Sequence, residues 1–478
     1  MTSDSRPPET ADGRAIGNKT ERLKNLIPGR RLAGTSMLAV GTRAIGAVLI
    51  LVSQLLLARL ISPSDLGLFF LALSLGTVIS IFSSMGYQWI VPSIVARAAA
   101  EGSPELLRSF LSWMRRDTIF AALLLIGLVS VAAAFMQWIP ADYRTVAILG
   151  ALTAPAMASM RLNGAVANAH RLFLLAYVPE FLLRSLFLLL FVVALWAVSA
   201  EVTVPLLLIG HLSIVVALTG FQRLLLVRRK AWIPAPLFAG GRDVSDERRA
   251  WRRQAMPMVI ATLFIGTSAE LSIVVTGLFL PAEDTAVFAV SIRIAMFLAF
   301  SIQIAHQLIL RDAADLLQQG NTTALASTVG RTNALNIVLA FAALVVAVLL
   351  GRELLSAFGS SYRTGYASLV VLVLAGGVLR ALGGPTTQML ALIQRQRAAL
   401  PAFTAAFAVL ILASIGLIPL LGLIGAAIAV FLSTATWTIW LALVVYTRTG
   451  LNLSLLPLAL FAKRHRRSHP EPVESASR

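Results

Sequence analysis

Apolar runs of about 18 residues or more recur along most of this sequence, and each can cross a hydrocarbon layer about 30 Å thick as a helix. Lipid offers the backbone no hydrogen-bond partners, so spanning segments must satisfy their own amides, as helices do. The expected fold class is an all-α polytopic membrane protein. Twelve runs fit: Ser36–Leu60, Gly67–Trp89, Thr118–Ile139, Thr145–Ala167, Phe173–Val198, Val204–Leu226, Met256–Leu280, Thr285–Leu310, Ala334–Leu350, Ala367–Ala391, Ala402–Leu421 and Ile424–Tyr446. Composition agrees, since apolar side chains make up 58% of 478 residues and charged ones 13%, against about 25% charged in soluble domains. A string of soluble domains is excluded. The chain has no cysteine, so disulfides, thiolate nucleophiles and cysteine-bound metals are excluded too.

Polar stretches divide the chain. Residues 1–35 read as a disordered basic tail, 36–226 as a first lobe of six spans, and 227–255 as a linker carrying Pro234, Pro236, Gly240 and Gly241. Residues 256–446 hold a second lobe of six spans, and 447–478 a second basic tail. Arg30 and Arg31 imitate a twin-arginine signal, but the run behind them is too long for one. Of 40 Lys and Arg residues, 32 fall in segments that are cytoplasmic if both termini are inside, and the outer loops hold only Arg144, Arg352 and Arg363. The positive-inside rule expects this asymmetry, so the net charge of +18 calls for no nucleic acid as a partner. Both termini are expected in the cytoplasm.

The two halves share a local pattern. Leu60-Ile61-Ser62-Pro63-Ser64-Asp65-Leu66-Gly67-Leu68-Phe69, after span one, matches Phe279-Leu280-Pro281-Ala282-Glu283-Asp284-Thr285-Ala286-Val287-Phe288, after span seven. Each places proline and an acid in a tight turn, where proline suits the first helical position and the acid meets the positive end of the helix dipole. Equivalent placement in two halves of equal orientation implies a parallel internal repeat.

The stretch Leu56–Gly86 (LLARLISPSDLGLFFLALSLGTVISIFSSMG) resembles the opening signature of bacterial polysaccharide exporters and lipid-linked oligosaccharide (O-antigen, Wzx-type) flippases of the multidrug/oligosaccharidyl-lipid/polysaccharide (MOP) superfamily. Leu354–Tyr366, Gly383–Leu400 and Ile418–Val430 resemble the second-half pattern of that family in the same order, although Ala286 stands where the family often has glycine. The resemblance implies an alternating-access transporter in the bacterial inner membrane that moves a polyprenyl-diphosphate-linked oligosaccharide to the outer leaflet. The partners it implies are that lipid-linked glycan, membrane lipids, a polysaccharide polymerase and glycosyltransferases. It implies no cofactor, with coupling to H+ or Na+ left open.

Ionisable residues inside spans cost about 2.5–3.5 kcal/mol each on insertion scales, so they mark cavities or partners. Arg43, Arg293 and Arg380 are candidates for binding the diphosphate, because a planar, permanently charged fork matches its oxygens. Glu270 is the candidate coupling or charge-balancing acid, although a Glu270–arginine pair that only packs helices is the competing reading. Glu180 and Arg184, four apart, read as a structural ion pair. Gln54, Gln303, His306 and Gln388 are candidate polar cavity residues, and His211 reads as a packing histidine. A cation-coupled multidrug antiporter would favour acids and aromatics, whereas arginines predominate here. A glycosyltransferase or polymerase would need an acid or base beside the bond, or a sizeable outer loop, and neither is found. The sequence is read as that of a transporter and not an enzyme.

Overall fold

A computed structural model describes residues 29–137, 140–198, 201–233, 245–302, 304, 313, 315–316, 319, 322–393, 395–450 and 454. No strand occurs among the described residues. The first six spans are α1 (Gly29–Leu60), α2 (Pro63–Ser83), α4 (Pro104–Phe135), α5 (Ala141–Ala169), α6 (Phe173–Ala197) and α7 (Val204–Arg228), with a short α3 (Val91–Ala100) between α2 and α4. Then follow α8 (Ser245–Ala255), α9 (Met258–Ile265), α10 (Ser268–Gly277), α11 (Ala282–Leu298), α12 (Thr322–Ser356), α13 (Ser360–Gly383) and α14 (Thr386–Leu392). The last stretch, Leu400–Thr449, is two helices, α15 (400–421) and α16 (423–449), because Gly422 sits at φ 57° and ψ −131°.

Nine helical stretches among the described residues are long and apolar enough to cross a membrane, and the bent pair of α8–α9 with α10 makes a tenth. Dividing Leu400–Thr449 at Gly422 and counting α11, whose 17 described residues fall just short of a full span, reaches the twelve expected. A belt of exposed apolar side chains on α1, α4, α12 and α15, including Val52, Leu124, Leu349 and Leu412, gives the bundle a lipid-facing surface.

Both repeat turns start a helix from an extended residue with an acid in the first turn. Ser62, extended, accepts the Asp65 N–H at 3.1 Å and donates its hydroxyl to the Asp65 carboxylate at 2.7 Å, with Pro63 in the first helical position of α2. Pro281, equally extended, leads into α11, with Glu283 and Asp284 in the first turn.

Several helices depart from regular geometry at residues that cannot hold it. Pro179 lacks an N–H, and α6 widens into a π turn at Val178–Leu183 around it. Gly376 and Gly377 lie in a second π turn, Leu374–Leu379, in α13. Span seven is broken at Gly266, with an 80° bend between the helices on either side. The sequence run Met256–Leu280 gives it as one continuous apolar segment.

The first six spans pack mainly on one another, α2 on α5, α5 on α4 and α7, and α1 on α6. Gly150 admits the Ala72 backbone and Gly76 admits the Gly150 carbonyl, so α2 and α5 meet nearly backbone to backbone. In the second half α13 packs on α11, α12 and α16. The two groups meet along α2. At the end carrying the repeat turns, the turn end, Gly67 lies against the Ala282 carbonyl, and Leu66, Phe69 and Phe70 share one apolar core with Ala286, Val287 and Phe288. Arg59 donates from Nε (3.0 Å) and Nη2 (2.6 Å) to the Ala357 carbonyl across the same boundary. At the opposite, basic end, Gly86 admits the Ala255 carbonyl, and Gln88 Nε2 and Trp89 Nε1 donate to Thr262 Oγ1 at 2.9 and 3.0 Å.

Helix α4 begins well before its apolar run. Ser103 caps it, and Leu106, Leu107, Phe110, Leu111 and Met114 form a buried stripe of helical period against Trp251 of α8. Below that stripe Asp117, 2% exposed, accepts Tyr87 Oη (2.6 Å), Arg252 Nε and Nη2 (2.7 and 2.6 Å) and Arg248 Nη2 (2.9 Å). Arg248 also lies over the Trp113 ring, 3.9 Å from its centroid. Residues Ser245–Ala255 of the expected linker are thus a helix bolted to the first six spans.

Candidate functional site

Six ionisable side chains lie inside the apolar bundle, on helices of both groups. Arg43 comes from α1, Arg161 from α5, Glu180 and Arg184 from α6, Glu270 from the first turn of α10 and Arg293 from α11. Arg161 lies within electrostatic range of Glu180, Arg184 and Glu270, and Arg293 within range of Glu270 and Arg184. Phe181 and Tyr177 hold the Arg43 guanidinium, 4.8 and 5.8 Å from their ring centroids, and Phe70 holds that of Arg293 at 4.1 Å. All six remain partly accessible although they sit deep in an apolar bundle.

Among the described residues no ion pair within 4 Å joins any arginine of this group to Glu180 or Glu270. The expected Glu180–Arg184 pair is therefore not formed. The wide π turn between the two residues rotates one relative to the other, and the Glu180 carboxylate instead lies near Gly164, one turn beyond Arg161 on α5. Arg43 Nε, Arg161 Nη1, Arg293 Nη1 and Glu270 Oε2 are shielded and have no hydrogen-bond partner. Buried polar groups are ordinarily satisfied, so four such atoms on neighbouring helices are free to bind a polar ligand. Four arginines against two glutamates leave a formal excess of two positive charges, suited to a dianion.

The remaining sequence candidates distribute unevenly. Gln54 stands eleven residues along α1 from Arg43, three turns of one face, and is 6% exposed with an unpartnered Oε1. His211 of α7 is buried with neither ring nitrogen partnered, and Arg184 is the charge nearest in effect. Gln303 and His306 lie outside the described residues. Arg380 and Gln388 do not join the cluster; they line a separate small pocket among α13, α14 and α16 with Thr386, Thr387, Trp437 and Thr438. Arg223, by contrast, is fully engaged, with Nε on Asn163 Oδ1 at 2.9 Å and its guanidinium 3.4 Å above the Trp232 ring.

Arg161 is the member sequence reasoning missed. It lies six residues inside the apolar run Thr145–Ala167, and that depth is the signal the sequence offers. A hollow of about 480 Å3 lies elsewhere, at the turn end beside Leu60, Ile61, Ser62, Asp65 and Trp196. Asp65 and Glu201 are its charged residues, so it offers a dianion nothing. Among the described residues no group of three His, Asp or Glu side chains could hold a metal ion.

No protein-family model matches the sequence, and no curated protein does. Solved structures do. The lipid II flippase MurJ, in an inward closed conformation, superposes with a TM-score of 0.61 at 13% identity, over 86% of this chain and 87% of its own. A MOP superfamily transporter from Pyrococcus furiosus gives 0.57 at 15% identity, over 86% and 95%. An inward-facing multidrug resistance MATE family transporter of the same superfamily gives 0.55 at 14% identity, over 86% and 94%. Identities this low speak for fold alone. The chain has the fold of the MOP superfamily transporters, a multi-pass helical membrane protein whose structural neighbours include a lipid flippase and multidrug transporters.

Proposed function

We propose that this protein is an alternating-access transporter that moves a polyprenyl-diphosphate-linked oligosaccharide from the inner to the outer leaflet of a bacterial inner membrane. The observation that carries the reading is the cluster of Arg43, Arg161, Arg184 and Arg293, drawn from both helix groups and short of carboxylate partners. A diphosphate head supplies the missing negative charge, and guanidinium forks bind its oxygens in pairs. Because the arginines come from both groups, a dianion between them favours the occluded arrangement, in which the groups can rock together. Glu270, within electrostatic range of both Arg161 and Arg293, offsets part of their charge and is the natural place for a coupling H+ or Na+. In this reading the basic end is cytoplasmic, consistent with the positive-inside asymmetry. The six-span groups are its two lobes, and the partners are the glycosyltransferases and polymerase that make and use the glycan.

A MATE-like antiporter is the second reading, motivated by the shared fold and by the unpartnered Glu270 carboxylate. An excess of two positive charges repels a cationic drug, which is why the flippase is preferred. The test is reconstitution into liposomes with a fluorescent lipid-linked glycan. Wild type is expected to translocate it, and Arg161→Ala, Arg293→Ala and Glu270→Gln are expected to insert normally and lose at least tenfold of the rate. Unchanged translocation in all three, or transport of an organic cation in place of the glycan, overturns the proposal.

A further inference from the structure

Arg380 has no task in the mechanism above. Glu270 acts on both Arg161 and Arg293, but among the described residues no charged group acts on Arg380. Its place is built by a break in the chain. Gly384, at φ 72°, ends α13, and Pro385 starts α14, which turns Thr386, Thr387 and Gln388 toward the same space. Gly383 lets α16 come close, since a Cβ there would collide with the Thr438 side chain.

The guanidinium stands 5.6 Å from the Trp437 centroid, and the Trp437 ring is itself braced by Phe403 at 5.9 Å. Trp437 therefore fixes the direction of the fork without neutralising it. Thr387 donates to Gln388 Oε1 at 2.7 Å, which leaves the Gln388 amide hydrogens free to donate into the pocket. Thr438 is 2% exposed and its Oγ1 has no partner. Three kinds of donor converge on one space with no acid among the lining residues. The enclosed part, about 20 Å3, has room for little more than one water.

We infer that Arg380, Gln388 and Thr438, backed by Trp437, form a second anion subsite that takes the carboxylate of an acidic sugar in the translocated glycan. A flat carboxylate tip suits so small a space, whereas a tetrahedral phosphate needs more room and more donors than the pocket offers. The rest of the sugar stays in the mouth. This inference rests on the flippase reading for the source of the carboxylate, but not for the carboxylate itself.

The test uses full-length protein in nanodiscs, with glucuronate, glucose, inorganic phosphate and pyrophosphate as separate probes in saturation-transfer NMR and competition titrations. Glucuronate is expected to bind and glucose not. Arg380→Met and Thr438→Val, the second nearly isosteric, are expected to weaken glucuronate at least tenfold while leaving pyrophosphate affinity unchanged. Arg293→Met is expected to do the reverse. Equal binding of glucose, displacement of glucuronate by phosphate at equal or better affinity, or undiminished glucuronate binding in both Arg380→Met and Thr438→Val overturns the inference. If pyrophosphate binding ignores Arg293 while glucuronate still depends on Arg380, the central-site reading falls and this one stands.

Discussion

Replacing Asp117 by Asn should release helix α8 from the first six spans. The carboxylate is 2% exposed and accepts four hydrogen bonds, three of them from Arg248 and Arg252 of α8. The amide keeps one acceptor and turns two donors toward groups that are themselves donors. Arg248 and Arg252 are 27% and 38% exposed, so solvent screens both pairs, and each loss is worth about 1 kcal/mol. The hydrogen bond from Tyr87 lies within the first group and keeps an acceptor in the amide, so it does not enter the docking of α8. A total of about 2 kcal/mol shifts the docked-to-free ratio of α8 by roughly thirtyfold. The chain has no native cysteine, so spin labels at Arg108→Cys and Arg249→Cys report the separation of α4 and α8 without background. Wild type should give one narrow distance and Asp117→Asn a broad distribution. An unchanged narrow distance, with an unchanged melting temperature, would refute the claim that Asp117 is the bolt.

Three further substitutions test other parts of the structure. Gly67→Leu drives a side chain into the Ala282 carbonyl, so distances between labels on the two repeat turns should lengthen and glycan translocation should fall at least tenfold. Gly76→Leu meets Thr153 and the Gly150 backbone inside the first group; overpacking there costs about 1–3 kcal/mol and should lower the melting temperature without changing the distances at the turn end. Arg293→Lys keeps the charge and loses the fork, and should weaken pyrophosphate by about tenfold in a titration, where a purely electrostatic site would show little change.

Hydropathy exposed the architecture because each span must satisfy the same physical demand along its whole length, and a long apolar run records it directly. The repeat turns were legible for a local reason, since proline and an acid at a helix start act within four residues. Features that depend on which helices meet were not. Asp117 sits one residue before the run that opens at Thr118 and reads as an ordinary loop acid until α8 is docked beside it. Glu180 and Arg184 have ion-pair spacing on an ideal helix, and the turn around Pro179 removes the geometry that spacing assumes. Arg43, Arg293 and Arg380 all looked alike in sequence, as charges within apolar runs. What separates Arg380 is Trp437, nearly sixty residues away, and the lack of any acid within reach among the described residues.

The two ends of the interface along α2 differ in a way that decides which opens more readily. At the turn end the contact is an apolar core with a glycine pressed on a backbone carbonyl. The basic end also has a glycine on a backbone carbonyl, Gly86 on Ala255, and an apolar cluster, but there a single hydroxyl, Thr262 Oγ1, receives both Gln88 and Trp89. Thr262→Val leaves these donors unsatisfied when the groups are closed and hydrated when they part, a difference of about 1 kcal/mol each, or about thirtyfold together. Val78 of α2, 8% exposed, belongs to the apolar cluster that includes Met258 and Val259 of α9. A cysteine placed there should react with a water-soluble maleimide roughly thirtyfold faster in the Thr262→Val background, following the opened population when reclosing is fast. The same cysteine chemistry at Leu66, in the turn-end core, should be unaffected or slower, because opening one end and closing the other are one movement in the two-group carrier proposed above. Equal acceleration at both positions would mean that Thr262→Val merely loosens the bundle, and the division of labour between the ends would be refuted.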